Sequence, residues 1–404
     1  MQLRLAALAA ALGAVLAAAP ASAQEGDIDA YSTVFYEFGG PLYNLVIDPH
    51  VGASVDPVPE LGIQVAWDAD IVSGASVAVV DAPSPDPDVI TSATKYDELR
   101  NVFSGGVELR GRYASLRGTY AYGFESDYRS HSFTVGARAE LFERNTVFDL
   151  SYGRGFDQVC NLAQPDNQEP VERQALPGSE GCFSDDPTRV ALDVSLHTAQ
   201  GSWTQAWAPV FTTQLTVTTQ LVDGFQSNPY RSVWLGRSAA QENHPRERWR
   251  YAAGLGTRLW LEPLSAALRL NARVYRDSWD VRSITAELGY EQALGDDLRL
   301  LLRGRYYHQG QAIFFSDNYA VLPRGQFFTG DRELADMRSV LVGLRLLWTI
   351  FPNDGAGAGP LAELRVLLKG DWLHHAFPNF RYGQAPVPNN NAVVGTLGLE
   401  LLFR

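Results

Sequence analysis

Beyond its first two dozen residues the chain has no apolar run approaching the roughly 20 residues a membrane-spanning helix needs, which excludes a helical integral membrane protein. Positive charge is also in deficit. Lysine and arginine number 33 against 46 aspartates and glutamates, a formal net charge of −13, so there is no basic footprint for nucleic acid. Cysteine is nearly absent. Cys160 and Cys182 are the only two, and they have neither the C-x-x-C-H spacing of haem attachment nor nearby histidine or cysteine partners at zinc spacing.

The N-terminus carries a different signal. Arg4 supplies a short positive region, Leu5 to Ala19 an apolar core, and Ala21-Ser22-Ala23 a small-residue cleavage site before Gln24. A secretory signal peptide over 1–23 and a mature chain over 24–404 are expected. No cysteine follows the cleavage site, which argues against a lipoprotein. In an exported chain, two cysteines within one polar, proline-containing stretch are expected to form a disulfide, Cys160 with Cys182.

The mature sequence repeats one pattern. Segments of about ten residues alternate apolar with polar or small side chains and then break at turn residues. In 211–221, Phe211, Thr213, Leu215, Val217, Thr219 and Leu221 oppose Thr212, Gln214, Thr216, Thr218 and Gln220. In 268–275, Leu268, Leu270, Ala272 and Val274 oppose Arg269, Asn271, Arg273 and Tyr275. A helix repeats at three and four residues, so this period of two belongs to strands. The pattern predicts strands at 30–38, 45–55, 61–71, 98–111, 114–124, 129–141, 145–155, 188–202, 208–222, 246–260, 263–277, 281–293, 297–309, 335–349, 361–374 and 391–403. That makes about sixteen, with ends good to two to four residues. The 17 tyrosines, 19 phenylalanines and 9 tryptophans suit such strands.

The connections sort by parity. The long ones, 72–97, 156–187, 223–245, 310–334 and 375–390, each follow an odd-numbered strand, whereas even-numbered strands end in short turns such as Glu143-Arg144-Asn145 and Gly295-Asp296-Asp297. Short periplasmic turns and long extracellular loops are the mark of an outer-membrane barrel. One alternating set is almost free of charge, for example Ile63, Val65, Trp67, Ala69 and Ile71, or Val342, Leu344, Leu346 and Trp348. A charge facing mid-membrane lipid would cost about 2–4 kcal/mol. The final strand, with Leu397, Leu399, Leu401 and Phe403 on one face, resembles the C-terminal insertion signal of outer-membrane barrels, with Arg404 beyond the closing aromatic.

Several elements resemble an uncharacterised bacterial family. Asp70-Ile71-Val72-Ser73-Gly74-Ala75-Ser76 is similar to its D-x-x-(S/T)-G-A-S element. Glu125-Ser126-Asp127-Tyr128-Arg129-Ser130 resembles its S-x-E-x-D-Y-x-S turn, with Gly123 at the first Ser. Arg144-Asn145-Thr146 and Ser227-Asn228-Pro229-Tyr230 resemble two further elements. The family is a domain of unknown function taken to be an outer-membrane barrel, so the resemblance implies an architecture and no activity.

The second face of the strands carries the candidate functional residues. Alternation assigns Arg110, Arg112, Arg138, Arg258, Arg269, Arg273, Glu287, Arg303, Arg305, Arg345, Glu363 and Arg365 to the lumen, and Asp193 and His197 with them. Such a wall either filters solutes in a water-filled pore or stiffens the barrel through cross-strand ion pairs, and both can hold together. An arginine excess in the wall suggests tolerance of anions. The seven histidines are scattered, and Asp193, Ser195 and His197 point in parallel along one strand where a catalytic triad must converge. His374 and His375 point to opposite faces, and the run Asp81 to Asp88 reads as a solvated Pro/Asp loop. No catalytic, metal or cofactor residues are assigned. The expectation is an all-β, transmembrane, antiparallel up-and-down barrel of the Gram-negative outer membrane. It is no enzyme; it is in contact with outer-membrane lipid and is a porin-like channel for small solutes. The rivals are a sheath or anchor for a periplasmic or redox partner and an outer-membrane hydrolase.

Overall fold

The computed structural model describes residues 25–38, 44–74, 98–162, 189–229, 232–234, 239–316, 325–351, 361–382, 385–386 and 389–403. Sixteen antiparallel strands close into one barrel. They are β1 (Glu25–Phe38), β2 (Asn44–Val58), β3 (Leu61–Gly74), β4 (Glu98–Arg110), β5 (Ala114–Phe124), β6 (Tyr128–Leu141), β7 (Thr146–Leu162) and β8 (Arg189–Ala208). The ring continues with β9 (Phe211–Gly224), β10 (Glu247–Leu261), β11 (Ala266–Asp277), β12 (Arg282–Leu294), β13 (Leu298–Gln309), β14 (Met337–Phe351), β15 (Leu361–Ala376) and β16 (Asn390–Phe403). Closure is by β16 on β1, from Gly26 opposite Phe403 to Phe38 opposite Asn391. Every expected strand is present, and the long connections fall on one rim. The signal segment, Cys182 and the run Asp81 to Asp88 lie outside the described residues.

Closure has a direct physical cause. An open sheet in lipid would leave a row of backbone N–H and C=O groups without partners, at several kcal/mol each, and only a closed ladder removes both edges. Exposure then tells the two faces apart. Val65, Val135 and Val342 are 53%, 60% and 57% exposed, while Leu341 and Leu373, on the opposite face of β14 and β15, are 4% and 5% exposed. The exposed set is a valine, leucine and aromatic surface with the width of strands, so it faces lipid. No helix among the described residues is long and apolar enough to cross a membrane, and the crossing elements are strands.

The short turns are tight. Between β6 and β7 the chain reverses through Phe142, Glu143 and Arg144, whose φ values are 50°, 56° and 69°, and the Asn145 N–H closes the turn on the Phe142 carbonyl at 3.1 Å. Left-handed backbone at non-glycine residues is strained. The turn accepts it because a right-handed twist in both strands favours positive φ at the reversal.

At the opposite rim, connections fold over the barrel instead of standing away from it. Trp279 and Val281, between β11 and β12, pack with Ala312, Phe315, Leu334 and Ala335, between β13 and β14, and with Phe377 and Phe380 beyond β15. Below them an apolar patch of the wall contains Phe35, Val46, Leu341, Leu373, Ala392 and Val394.

Candidate functional site

The face opposite the lipid surface is built from charged rows. On β4, Arg110 puts Nη1 2.5 Å from Asp56 and Nε 2.8 Å from Glu108. Arg117 holds Asp149 through two nitrogens at 2.7 and 3.1 Å, and Arg138 lies 3.2 Å from Glu140. Arg303 on β13 donates to Asp371 on β15 at 2.7 and 3.0 Å across the intervening strand and lies 3.8 Å from Glu287. Glu291 accepts from Arg269 and, at 3.3 Å, from Arg345. Arg365 donates to Glu363 and lies 3.2 Å from Glu400. Arg305 stands opposite Glu287 in the ladder, and Arg273 opposite Gly254 and Thr285. Arg258 directly opposes Arg269, a like-charge pair that costs stability.

Two assignments made from alternation change. β4 ends at Arg110, so Arg112 is in the turn, its guanidinium 5.0 Å from the centre of the Tyr113 ring, and belongs to no strand face. On β8 the register pairs Asp149 with Ser202 and Arg154 with His197, which puts Asp193 and His197 on the outward face. His197 there meets the Tyr152 hydroxyl at 2.7 Å and the guanidinium of Arg154. Its ring is committed to these partners, and the row Asp193, Ser195, His197 does not converge on a nucleophile. His374 pairs with Asn391 at 3.0 Å on the outward face, while His375 points to the other.

A set that alternation did not single out is the acidic wall of β1, β2 and β3. The register brings Asp27, Asp29, Asp48, Asp56, Asp68 and Asp70 to one face, the same face as Arg110 and Glu108. Between Glu25 and Gly74 there is no lysine or arginine. His50 is the one basic side chain among these strands. Its Nε2 lies 3.0 Å from Asp29, its Nδ1 lies 2.6 Å from Asp68, and Tyr31 stacks on the ring at 4.3 Å. The signal was the missing lysine and arginine over fifty residues, visible only once the three strands are known to be neighbours.

The mouth is strapped from one side to the other. The connection between β13 and β14 exchanges backbone hydrogen bonds with the one between β9 and β10, Asn243 with Phe328 at 2.9 and 3.0 Å, and Thr329 donates to Glu242 at 2.8 Å. At its other end Arg332 reaches Glu37 on β1 at 2.8 and 2.9 Å, and Asn390 donates to the same carboxylate at 2.6 Å. The Asp331 carboxylate caps the turn by accepting from the Glu333 N–H at 3.0 Å. A chain segment therefore crosses above the lumen between two sectors of wall.

No curated protein matches the sequence. Among solved structures, a bacterial polysaccharide outer membrane secretin aligns over 94% of this chain and 98% of its own at 9% identity, with a TM-score of 0.49. OpdK of Pseudomonas aeruginosa with vanillate aligns over 94% and 99% at 10% identity and a TM-score of 0.42. A BenF-like porin from Pseudomonas fluorescens aligns over 94% and 99% at 9% identity and a TM-score of 0.42. The family described as protein of unknown function (DUF3570) matches residues 5–359, and the chain belongs to it.

Proposed function

We propose that the protein is a porin-like channel of the Gram-negative outer membrane that passes small water-soluble solutes. The supporting observation is the opposed character of the two faces of one closed ladder. One face exposes Val65, Val135 and Val342, and the other carries ion-paired arginines and carboxylates such as Arg303 with Asp371. Charged rows of this kind are stable facing water and costly facing lipid. A sixteen-stranded barrel is too wide for side chains to fill and leaves an aqueous channel. In this reading Arg110, Arg138, Arg258, Arg269, Arg273, Glu287, Arg303, Arg305, Arg345, Glu363 and Arg365 line the lumen and act on the solute by charge. The rim bearing the long connections is extracellular, and the start of β1 at Glu25 and the end of β16 at Phe403 lie at the periplasmic rim, as an even strand number requires. The strap between β13 and β14 narrows the extracellular mouth.

The test is single-channel recording of the purified protein in planar bilayers, with reversal potentials measured across a salt gradient. Discrete, stable conductance steps are expected. A barrel that inserts and conducts nothing would overturn the proposal.

A further inference from the structure

We propose that the channel favours dipolar solutes, those carrying a carboxylate and an ammonium on one small molecule, because its lumen has an acidic wall facing a basic one. The inference rests on the channel reading above and names the solute class. In a ring of sixteen strands, β2 and β10 stand eight strands apart in either direction, so they face each other across the lumen. On the β1–β3 side the inner row presents Asp27, Asp29, Asp48 and Asp68, with His50 as the one basic group. On the β10–β13 side the inner rows present Arg250, Arg258, Arg269, Arg273, Arg303 and Arg305, and these outnumber the carboxylates of Asp277, Glu287 and Glu291 on the same rows.

Height along the barrel matches as well. Asp68 lies seven residues beyond the first residue of β3, Leu61, and Arg273 seven beyond the first residue of β11, Ala266. Arg305 lies seven beyond Leu298 at the start of β13. Carboxylates and guanidiniums therefore meet the solute at one level. Arg269 pairs with Glu291 and Arg303 with Glu287 and Asp371, but the Arg258–Arg269 opposition adds positive charge on this side that those carboxylates do not match.

Two facing walls of opposite sign produce a field across the pore axis. A solute of one charge is drawn to one wall and repelled by the other, and a neutral solute gains little. A molecule with both charges aligns and gains at both ends. The acidic wall of β1–β3 adds carboxylates that the expectation of anion tolerance did not include. The field is screened over about 10 Å at 0.1 M salt and about 30 Å at 0.01 M, so the preference must depend on ionic strength.

The experiment compares two constitutional isomers, β-alanine and lactamide, as osmolytes in swelling of phosphatidylcholine proteoliposomes. They have the same mass, and only β-alanine is dipolar at neutral pH. At about 10 mM ionic strength β-alanine is expected to enter at least about threefold faster than lactamide, with the ratio falling towards one at about 1 M. The double substitution Asp29→Asn with Asp68→Asn is expected to remove the preference and shift reversal potentials towards anions. Its folding is checked by heat-dependent electrophoretic mobility, and the salt series on the unaltered protein stands whether or not the variant folds. Equal rates for the two isomers at low salt would overturn this inference and leave the channel intact. No swelling with either isomer would overturn the channel reading itself.

Discussion

Arg332, in the connection between β13 and β14, donates to the Glu37 carboxylate on β1 at 2.8 and 2.9 Å, although the two are 295 residues apart in sequence. Both are buried, and Asn390 adds a third hydrogen bond to Glu37. Removing one partner of a buried pair leaves the other charge uncompensated, at about 3–5 kcal/mol. Arg332→Ala is therefore expected to release the strap. Single-channel conductance should rise and the connection should become sensitive to protease added outside, while the unfolding midpoint of the barrel barely moves because the ladder is untouched. Unchanged conductance and unchanged cleavage would show that the strap does not depend on this pair.

The two faces of β6 make a matched comparison. Val135 is 60% exposed on the outward face, and its neighbour Thr134 points to the other. Val135→Arg should destabilise the barrel in lipid vesicles by about 2–4 kcal/mol, and Thr134→Arg by much less, because only the first buries a charge in hydrocarbon. Urea unfolding midpoints of the two variants measure the difference. Equal losses would mean that the faces have been assigned wrongly.

The reversal between β6 and β7 holds Glu143 at φ 56° between two further left-handed residues. Glycine accepts this backbone without the Cβ clash that costs roughly 1–2 kcal/mol, though it loses part of that gain through its greater freedom in the unfolded chain. Glu143→Gly is expected to raise stability by up to about 1 kcal/mol. A fall in the unfolding midpoint would contradict it.

Cys160 is fully buried near the end of β7. We propose that it is bridged to Cys182, closing one long connection. Peptide mapping without reductant should recover the two cysteines in one linked species, and Cys182→Ser should lower stability by about 3 kcal/mol, the loop-closure value for a ring of this order. Free thiols detected by alkylation of the unfolded, unreduced protein would rule the bridge out.

Much of the barrel was legible in the chain because lipid enforces a period of two. In β9 and β11 one face must be apolar over the full membrane thickness, so strand type and face could be read directly from 211–221 and 268–275. The same argument explains the failure at β8. That strand runs for 20 residues and pairs with the unusually long β7, so its upper half extends beyond the lipid band. There nothing compels the outward face to be apolar. Leu192, Val194 and Leu196 turn inward, and Asp193, Ser195 and His197 turn outward.

The sequence by itself determined that the chain is all strand, that one set of side chains meets lipid, and which rim carries the long connections. These properties follow from local alternation and turn chemistry. The tertiary structure alone decided which charged rows face one another across the lumen, and that the strap from β13 to β14 is held at β1. Both depend on ring closure, which brings residues hundreds of positions apart to one level of the wall, and no periodicity along the chain encodes that distance.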